Sequence, residues 1–262
     1  MDIKVAVLVD GSFFIKRLLF YKRKFFECAP ELTGTQMSEA LMRTVKKHLY
    51  SNISQVYYHL HRIYYYDAPP LDIKIHYPLP DALGENCKVK DYQKDPQTIL
   101  RNDFLNNLKK QRKVAVRLGA TKHDKKWKLT DHATKAIIKG EKSCDVLENS
   151  DFYYEVRQKG VDIKLGIDIA SLAYEKHVDK ILLIAGDSDF IPAAKLARIH
   201  GIDFVLDPLR NNIDPRLHEH IDGLDGYDLV SILKDVLKVD PDNRPVWWNK
   251  ISRSVKNSQT GS

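Results

Sequence analysis

The chain has 262 residues, 43% hydrophobic and 29% charged, with a net charge of +7. That is the composition of an ordinary soluble globular protein, long enough for one large α/β domain or a domain with a sizeable insertion. No apolar run approaches the roughly 20 residues of a membrane span, and three scattered cysteines without CxxC spacing (Cys28, Cys87, Cys144) fit neither a disulfide framework nor a zinc site, but a reducing cytoplasm.

In chain order, residues 3–9 form a nearly continuous apolar run closed by Asp10 and Gly11, the pattern of a strand buried on both faces of a parallel sheet. An acid precedes the run and no cleavage-site pattern follows it, so it reads as a first strand and not a signal peptide. Ser12 is placed to cap the helix that follows, SFFIKRLLFYKRKFFE, which mixes core aromatics with a basic outer face. Met37, Leu41, Val45 and Leu49 lie on one stripe of a second helix. Residues 62–66 are rich in aromatic and β-branched side chains, as strands are; this second strand ends in Asp67 and is stopped by Pro69 and Pro70. A helix is expected near 98–110, a strand over 114–119 and a short extension at 127–129. The polar residues 130–157 suggest a helix plus a mobile loop.

From Lys159 the pattern sharpens. KGVDIKLGIDIASLAYEKH is a helix with Ile163, Ile167, Ala170 and Tyr174 on one apolar stripe. KILLIAGD is a buried strand, PAAKLARIHG a helix opened by Pro192 and closed by Gly201, and IDFVLD a further strand. This strand–helix–strand rhythm predicts a parallel sheet with right-handed crossovers. Two short helices are expected within LHEHIDGLDGYDLVSILKDVL, and the stretch after 240 reads as a fraying tail in which Trp247 and Trp248 dock as a pair. The domain plan is therefore one unit over 1–240, with an insertion at roughly 70–157, and a partly disordered tail over 241–262.

The charge is unevenly placed. Between Arg101 and Lys128 there are ten Lys and Arg against two acids, Asp103 and Asp124, so the rest of the chain is close to neutral. A basic segment on a balanced body suggests a polyanion partner, nucleic acid first, held by Lys109, Lys110, Arg112 and Lys113 and by the basic face of the first helix, Lys16 included.

Three expected strands end in aspartate: Asp10, Asp67 and Asp187. Ligand sites of open parallel sheets lie outside the carboxyl ends of the strands, so neighbouring strands would bring these acids into one crevice. Asp162 begins the helix before the third of them, and Asp189 follows Asp187 by two residues, making four or five carboxylates within a few ångströms. Such a cluster cannot remain ionised without compensation. With no thiol or imidazole among them, the compensating group is a hard divalent cation, Mg²⁺ or Mn²⁺. That ion would polarise a phosphoryl oxygen and deprotonate a bound water, the chemistry of phosphodiester hydrolysis.

MDIKVAVLVDGSFF, the stretch from KGVDIKLGIDIASLAYEKH through ILLIAGDSDFIPAAKLARIHGIDFVLD, and LHEHIDGLDGYDL resemble the NYN (LabA-like) branch of the PIN-like nuclease superfamily, with weaker support at IYYYDAPP. The resemblance implies a Rossmann-like, three-layer α/β sandwich with a mostly parallel sheet, here carrying an inserted basic region. It further implies Mg²⁺- or Mn²⁺-dependent cleavage of RNA by a ribonuclease, an endonuclease by expectation, in the cytoplasm that the cysteine usage suggests. Position by position it makes Asp10 the first-strand acid, Asp162 the acid of the KGVD motif, and Asp187 and Asp189 those of the GDxDF motif; these four are the expected metal ligands and catalytic groups. Asp67 and Asp168 form a second tier, and Ser12 and Lys159 are expected at substrate. Expected partners are RNA and either a second copy or a partner protein, with no membrane.

Where many members of the family carry DGxN, this chain has DGSFF, and Phe13 and Phe14 occupy the place of a polar contact. That departure supports the competing reading, an RNA- or partner-binding module that retains a vestigial acidic site. Two further readings fail on residues. GDS at 186–188 is followed by Asp where a GDSL hydrolase has Leu, and a haloacid-dehalogenase phosphatase needs an acid where Ser12 stands.

Overall fold

A computed structural model describes residues 2–50, 57–80 and 87–245. In chain order the elements are β1 (Asp2–Asp10), α1 (Gly11–Phe25), α2 (Gly34–Leu49), β2 (Tyr57–Asp67), β3 (Lys74–His76), β4 (Val89–Asp91), α3 (Pro96–Lys109), β5 (Val114–Leu118) and β6 (Ala120–Leu129). There follow α4 (Asp131–Ile138), β7 (Phe152–Lys159), α5 (Val161–Tyr174), β8 (Lys180–Ile184), α6 (Ile191–Ile199), β9 (Asp203–Asp207), α7 (Pro215–His218), β10 (Gly223–Leu224) and α8 (Leu229–Leu237).

Six strands form one parallel sheet in the order β10-β9-β8-β1-β2-β5. β1 is central, and its neighbours align Asp10 with Tyr66 of β2 and Val9 with Ile184 of β8. Side chains alternate across it: Val5, Val7 and Val9 pack with α1, α2, α3 and α8, while Ala6 and Leu8 pack with α5 and α6. Two apolar faces explain why the first strand is apolar throughout. From β1 the chain adds β2 and β5 on one side, then β8, β9 and β10 on the other. The switch point therefore lies between β1 and β8.

Within the span read as an insertion, β5 belongs to the central sheet, pairing with β2, and α3 packs on α2 in the layer over that sheet. The outgrowths are the β3–β4 pair and an antiparallel arm of β6 and β7 running from Ala120 opposite Lys159 to Leu129 opposite Phe152. Trp127 joins them, stacking on Tyr77 at 5.4 Å, meeting Tyr154 edge-on at 5.3 Å and donating Nε1–H to the His76 carbonyl at 2.9 Å.

Several expectations change. The extension at 127–129 is the end of a ten-residue strand, and the mobile loop expected before Lys159 is instead the paired strand β7. Between α7 and α8, where only helices were expected, lies the short strand β10. The α5 stripe of Ile163, Ile167 and Tyr174 faces outward, with exposures of 68%, 58% and 63%; the buried stripe is Val161, Leu165, Ile169 and Leu172. Both stripes have helical period, so periodicity identified the helix but not its inner face. Of the expected tail, Asp242 holds the end of α1, its N–H donating to the Phe25 carbonyl and its carboxylate accepting from Cys28 N–H, both at 2.9 Å or less. Trp247 and Trp248 lie outside the described residues. Among the described residues no helix is long and apolar enough to cross a membrane.

Candidate active site at the carboxyl edge of the sheet

Because β8, β1 and β2 are parallel neighbours, their carboxyl ends bring the Asp187 turn, Asp10 and Asp67 to one edge. α1 begins immediately after β1 and runs close to β2: a Cβ on Gly11 would collide with the Tyr65 ring and the Tyr66 carbonyl. On the other side Phe13 lies across Gly186, where a Cβ would strike its ring. The phenylalanine that stands in the polar place of DGxN thus packs against the glycine of GDSD.

Asp10 caps α1, its Oδ1 accepting from Phe13 N–H at 3.1 Å. The cap was expected from Ser12, which lies inside the helix and donates instead to Gln158 Oε1 at 3.1 Å. The shift follows from geometry: a cap's side chain must reach the N–H two or three residues on. Burial raises the Asp10 carboxyl above its ordinary range; the Phe13 N–H opposes this, and the charges of Asp162 and Asp67 add to it. Asp162 is exposed in the first turn of α5, where the helix N-terminus favours a carboxylate.

Asp67 is fully buried and saturated. Its Oδ1 accepts from Arg101 (2.6 Å), Ala68 N–H (2.8 Å) and Gln158 Nε2 (3.4 Å), and its Oδ2 from the Tyr65 hydroxyl (3.3 Å). Asp168 is likewise engaged, by the Tyr66 hydroxyl at 2.8 Å and Arg117 Nε at 3.2 Å. Arg101 and Gln158 did not emerge from the sequence as site residues. No motif marks them; only the packing of α3 against α2 and β5, and the pairing of β7 with β6, bring them to Asp67 at the end of β2.

Asp187 and Asp189 are exposed, and Asp189 N–H donates to Asp187 Oδ1 at 3.1 Å, a turn-forming bond. The expected cluster of four or five carboxylates is not what the fold builds: among the described residues no three His, Cys, Asp or Glu side chains group closely enough to hold an ion. The physical reason is that Asp67 turns inward to Arg101 while the Asp187 turn opens to solvent. What remains is Asp10 and Asp162 acting on each other, with hard oxygen donors only. Mg²⁺ is commonly held by one or two carboxylates, with water on its other positions, and carboxylate oxygens are the donor chemistry such an ion takes.

Lys16 and Lys159 are exposed, on the second turn of α1 and at the end of β7. Lys109, Lys110, Arg112 and Lys113 are elsewhere. They precede β5, whose first residue Val114 pairs with Ile63. Ile63 is four residues before Asp67, about 13 Å along the strand at 3.3 Å per residue. A parallel strand starts away from the edge that carries the acids, so the fold separates these cations from the crevice.

Comparison with known proteins adds the following. A family model described as NYN domain matches residues 82–212, a span that holds Asp162, Asp168, Asp187 and Asp189 and follows Asp10 and Asp67. No curated protein matches. Among solved structures, a protein of unknown function, VPA0982 from Vibrio parahaemolyticus, is similar at 13% identity and TM-score 0.40, over 86% of this chain and 93% of that one. Sir2Af2 bound to a myristoylated histone peptide is similar at 9% identity and TM-score 0.33, over 90% and 89%.

Proposed function

The chain belongs to the NYN domain family, and from that premise we propose that it is a metal-dependent ribonuclease cutting RNA in the crevice headed by Asp10 and Asp162. The observation that carries this reading is the state of Asp10: a carboxyl at the switch point of a parallel sheet, raised by burial and by Asp162 and Asp67. Asp10 and Asp162 would hold Mg²⁺ or Mn²⁺. When bound, the ion supplies a Lewis acid for a phosphoryl oxygen and a water of lowered pKa. Arg101 neutralises Asp67 and so limits the charge Asp10 must tolerate. Asp187 and Asp189, exposed beside β1, are available to order water. Ser12 and Gln158, already bonded to each other, line the start of α1, and Lys16 and Lys159 supply charge for phosphates.

The test is cleavage of end-labelled single-stranded RNA with and without Mn²⁺ by the wild type, Asp10→Asn and Asp187→Asn. Asn caps a helix as well as Asp, so Asp10→Asn removes the charge and keeps the α1 cap. Each variant should lose at least about a hundredfold in rate, as removal of several kcal/mol of charge stabilisation requires. Wild-type rates in both would sink the proposal.

A second reading, a non-catalytic RNA-binding module, is favoured by the lack of a three-carboxylate group among the described residues and by Phe13 packed on Gly186. Its signature is RNA binding by the wild type without metal-dependent turnover.

A further inference from the structure

Once folded, the basic residues of the 101–128 segment are not equivalent. Arg101 is tied to Asp67, Arg117 to Asp168, and Lys128 to Glu155 at 2.6 Å. Lys109, Lys110, Arg112 and Lys113 are all exposed, and among the described residues no carboxylate pairs with them. They close α3 and lead into β5, on the amino-terminal side of the sheet. Lys113 is fixed there, its Nζ donating to the Leu60 carbonyl and its carbonyl accepting from Ile63 N–H at 2.8 Å.

A second set of cations comes to the same side from other elements. Lys4 lies near the start of β1. A register shift between Val5 and Ala6 leaves His61 without a partner in β1 and sets Arg62 beside Ala6. The His177 ring, just before β8, lies 6.2 Å from that of His61. The His61 imidazole is held below its ordinary range by burial and then by the charges of Arg62, His177, Lys113 and Lys4. One positive field therefore spans four segments of chain. The acids nearby are engaged: Asp2 faces His59 at 3.5 Å, Glu175 faces His177 at 3.0 Å, and Asp179 accepts from Lys4 N–H at 2.7 Å.

Resting on the reading of the chain as an RNA-cutting enzyme, we propose that Lys109, Lys110, Arg112 and Lys113, with Lys4 and Arg62, form a second site for the phosphodiester backbone of RNA, at the edge of the sheet opposite the crevice. Charge alone holds a phosphate backbone, whereas protein interfaces are commonly anchored by a few aromatic or Arg side chains in desolvated central pockets. No large apolar side chain of residues 58–63 or 109–114 is exposed. The nine residues of β1 separate the two edges by about 30 Å, roughly nine nucleotides of stacked strand at about 3.4 Å each. An RNA long enough to reach both sites is tethered at one while it occupies the other.

The experiment measures binding of 6- and 30-nucleotide single-stranded RNAs by fluorescence anisotropy against salt, in an Asp10→Asn background that prevents cleavage. Lys109→Gln/Lys110→Gln/Arg112→Gln should weaken the 30-mer about tenfold near 0.1 M salt, abolish its advantage over the 6-mer and lower the salt slope by about two. Lys109→Arg/Lys110→Arg should keep all three, and equal melting temperatures exclude unfolding. An unchanged slope and length advantage would overturn the second site. Loss of poly-glutamate binding with RNA binding intact would overturn it in favour of an acidic protein. An Asp10→Asn parent, with the basic patch intact, that binds neither RNA sinks both the site and the nuclease reading. Length-dependent binding that the triple variant loses, without cleavage by the Asp10-intact protein, upholds the site and sinks the nuclease alone.

Discussion

Asp10 and Asp67 end neighbouring parallel strands, yet the fold gives them opposite chemistry. Asp67 is buried with four donors, and the Arg101 guanidinium supplies its counter-charge. Asp10 has its cap bonds and, among the described residues, no cation paired with it; its charge is disfavoured by burial and by two other carboxylates. The first arrangement compensates its charge within the fold, whereas the second leaves Asp10 held by its helix cap alone among the described residues. Arg101→Met would leave Asp67 buried and charged without its counter-ion, held only by the Ala68, Gln158 and Tyr65 donors, and removing one partner of a buried pair costs about 3–5 kcal/mol. Urea unfolding measures this, and Asp67→Asn added to Arg101→Met should recover part of the loss. A single-variant cost below about 1 kcal/mol would show that water, and not Arg101, compensates Asp67.

The element that most separates pattern from packing is α5. It is apolar on two sides, and only contact with α6 and the sheet selects Leu165, Ile169 and Leu172 as its inner face. Ile169→Ala should therefore cost about 2–5 kcal/mol, as core truncations do, while Ile167→Ser on the outer face should stay within about 0.5 kcal/mol. Thermal denaturation of the two variants checks this; equal losses would place Ile167 inside an interface. The arm formed by β6 and β7 makes a related point. Its sequence is charged and unpromising for a strand, yet Trp127, Tyr77 and Tyr154 provide an aromatic core outside the sheet. The base of the arm carries Gln158 to Ser12 and Asp67, which ties the outgrowth to the crevice.

Across the whole molecule, His48 links α2 to the far half of the sheet. It is almost fully buried, with Nε2 2.8 Å from Asp207 at the end of β9 and Nδ1 3.5 Å from Asp225 in the loop before α8. The Tyr227 ring meets it edge-on at 4.6 Å. Burial pulls its pKa down, but hydrogen bonds and charges from Asp207 and Asp225 outweigh this and the net shift is upward from 6.5. A histidine with a raised folded pKa contributes stability that is fully present below the unfolded value and is lost as pH rises through the folded one. The stability advantage of wild type over His48→Phe should thus be largest below about pH 6.5 and shrink toward alkaline pH. Denaturant midpoints at pH 5.5, 7 and 8.5 test it, and an advantage that grows with pH would contradict the bridging role.

By itself the sequence determined the strand–helix rhythm, the parallel sheet and the acids at the ends of its strands. Each of these depends on neighbouring residues: apolar runs such as VAVLV and KILLI, the closing Gly201, and the aspartates that follow strand runs. Only the tertiary structure decided which acids meet, because Asp67 is claimed by an arginine 34 residues away and Asp10 by the N-terminus of its own helix. It also decided that the cations of 109–113 lie toward the opposite edge of the sheet. A linear stretch of charge carries no direction until parallel pairing fixes where each strand begins, and that pairing joins residues distant in sequence.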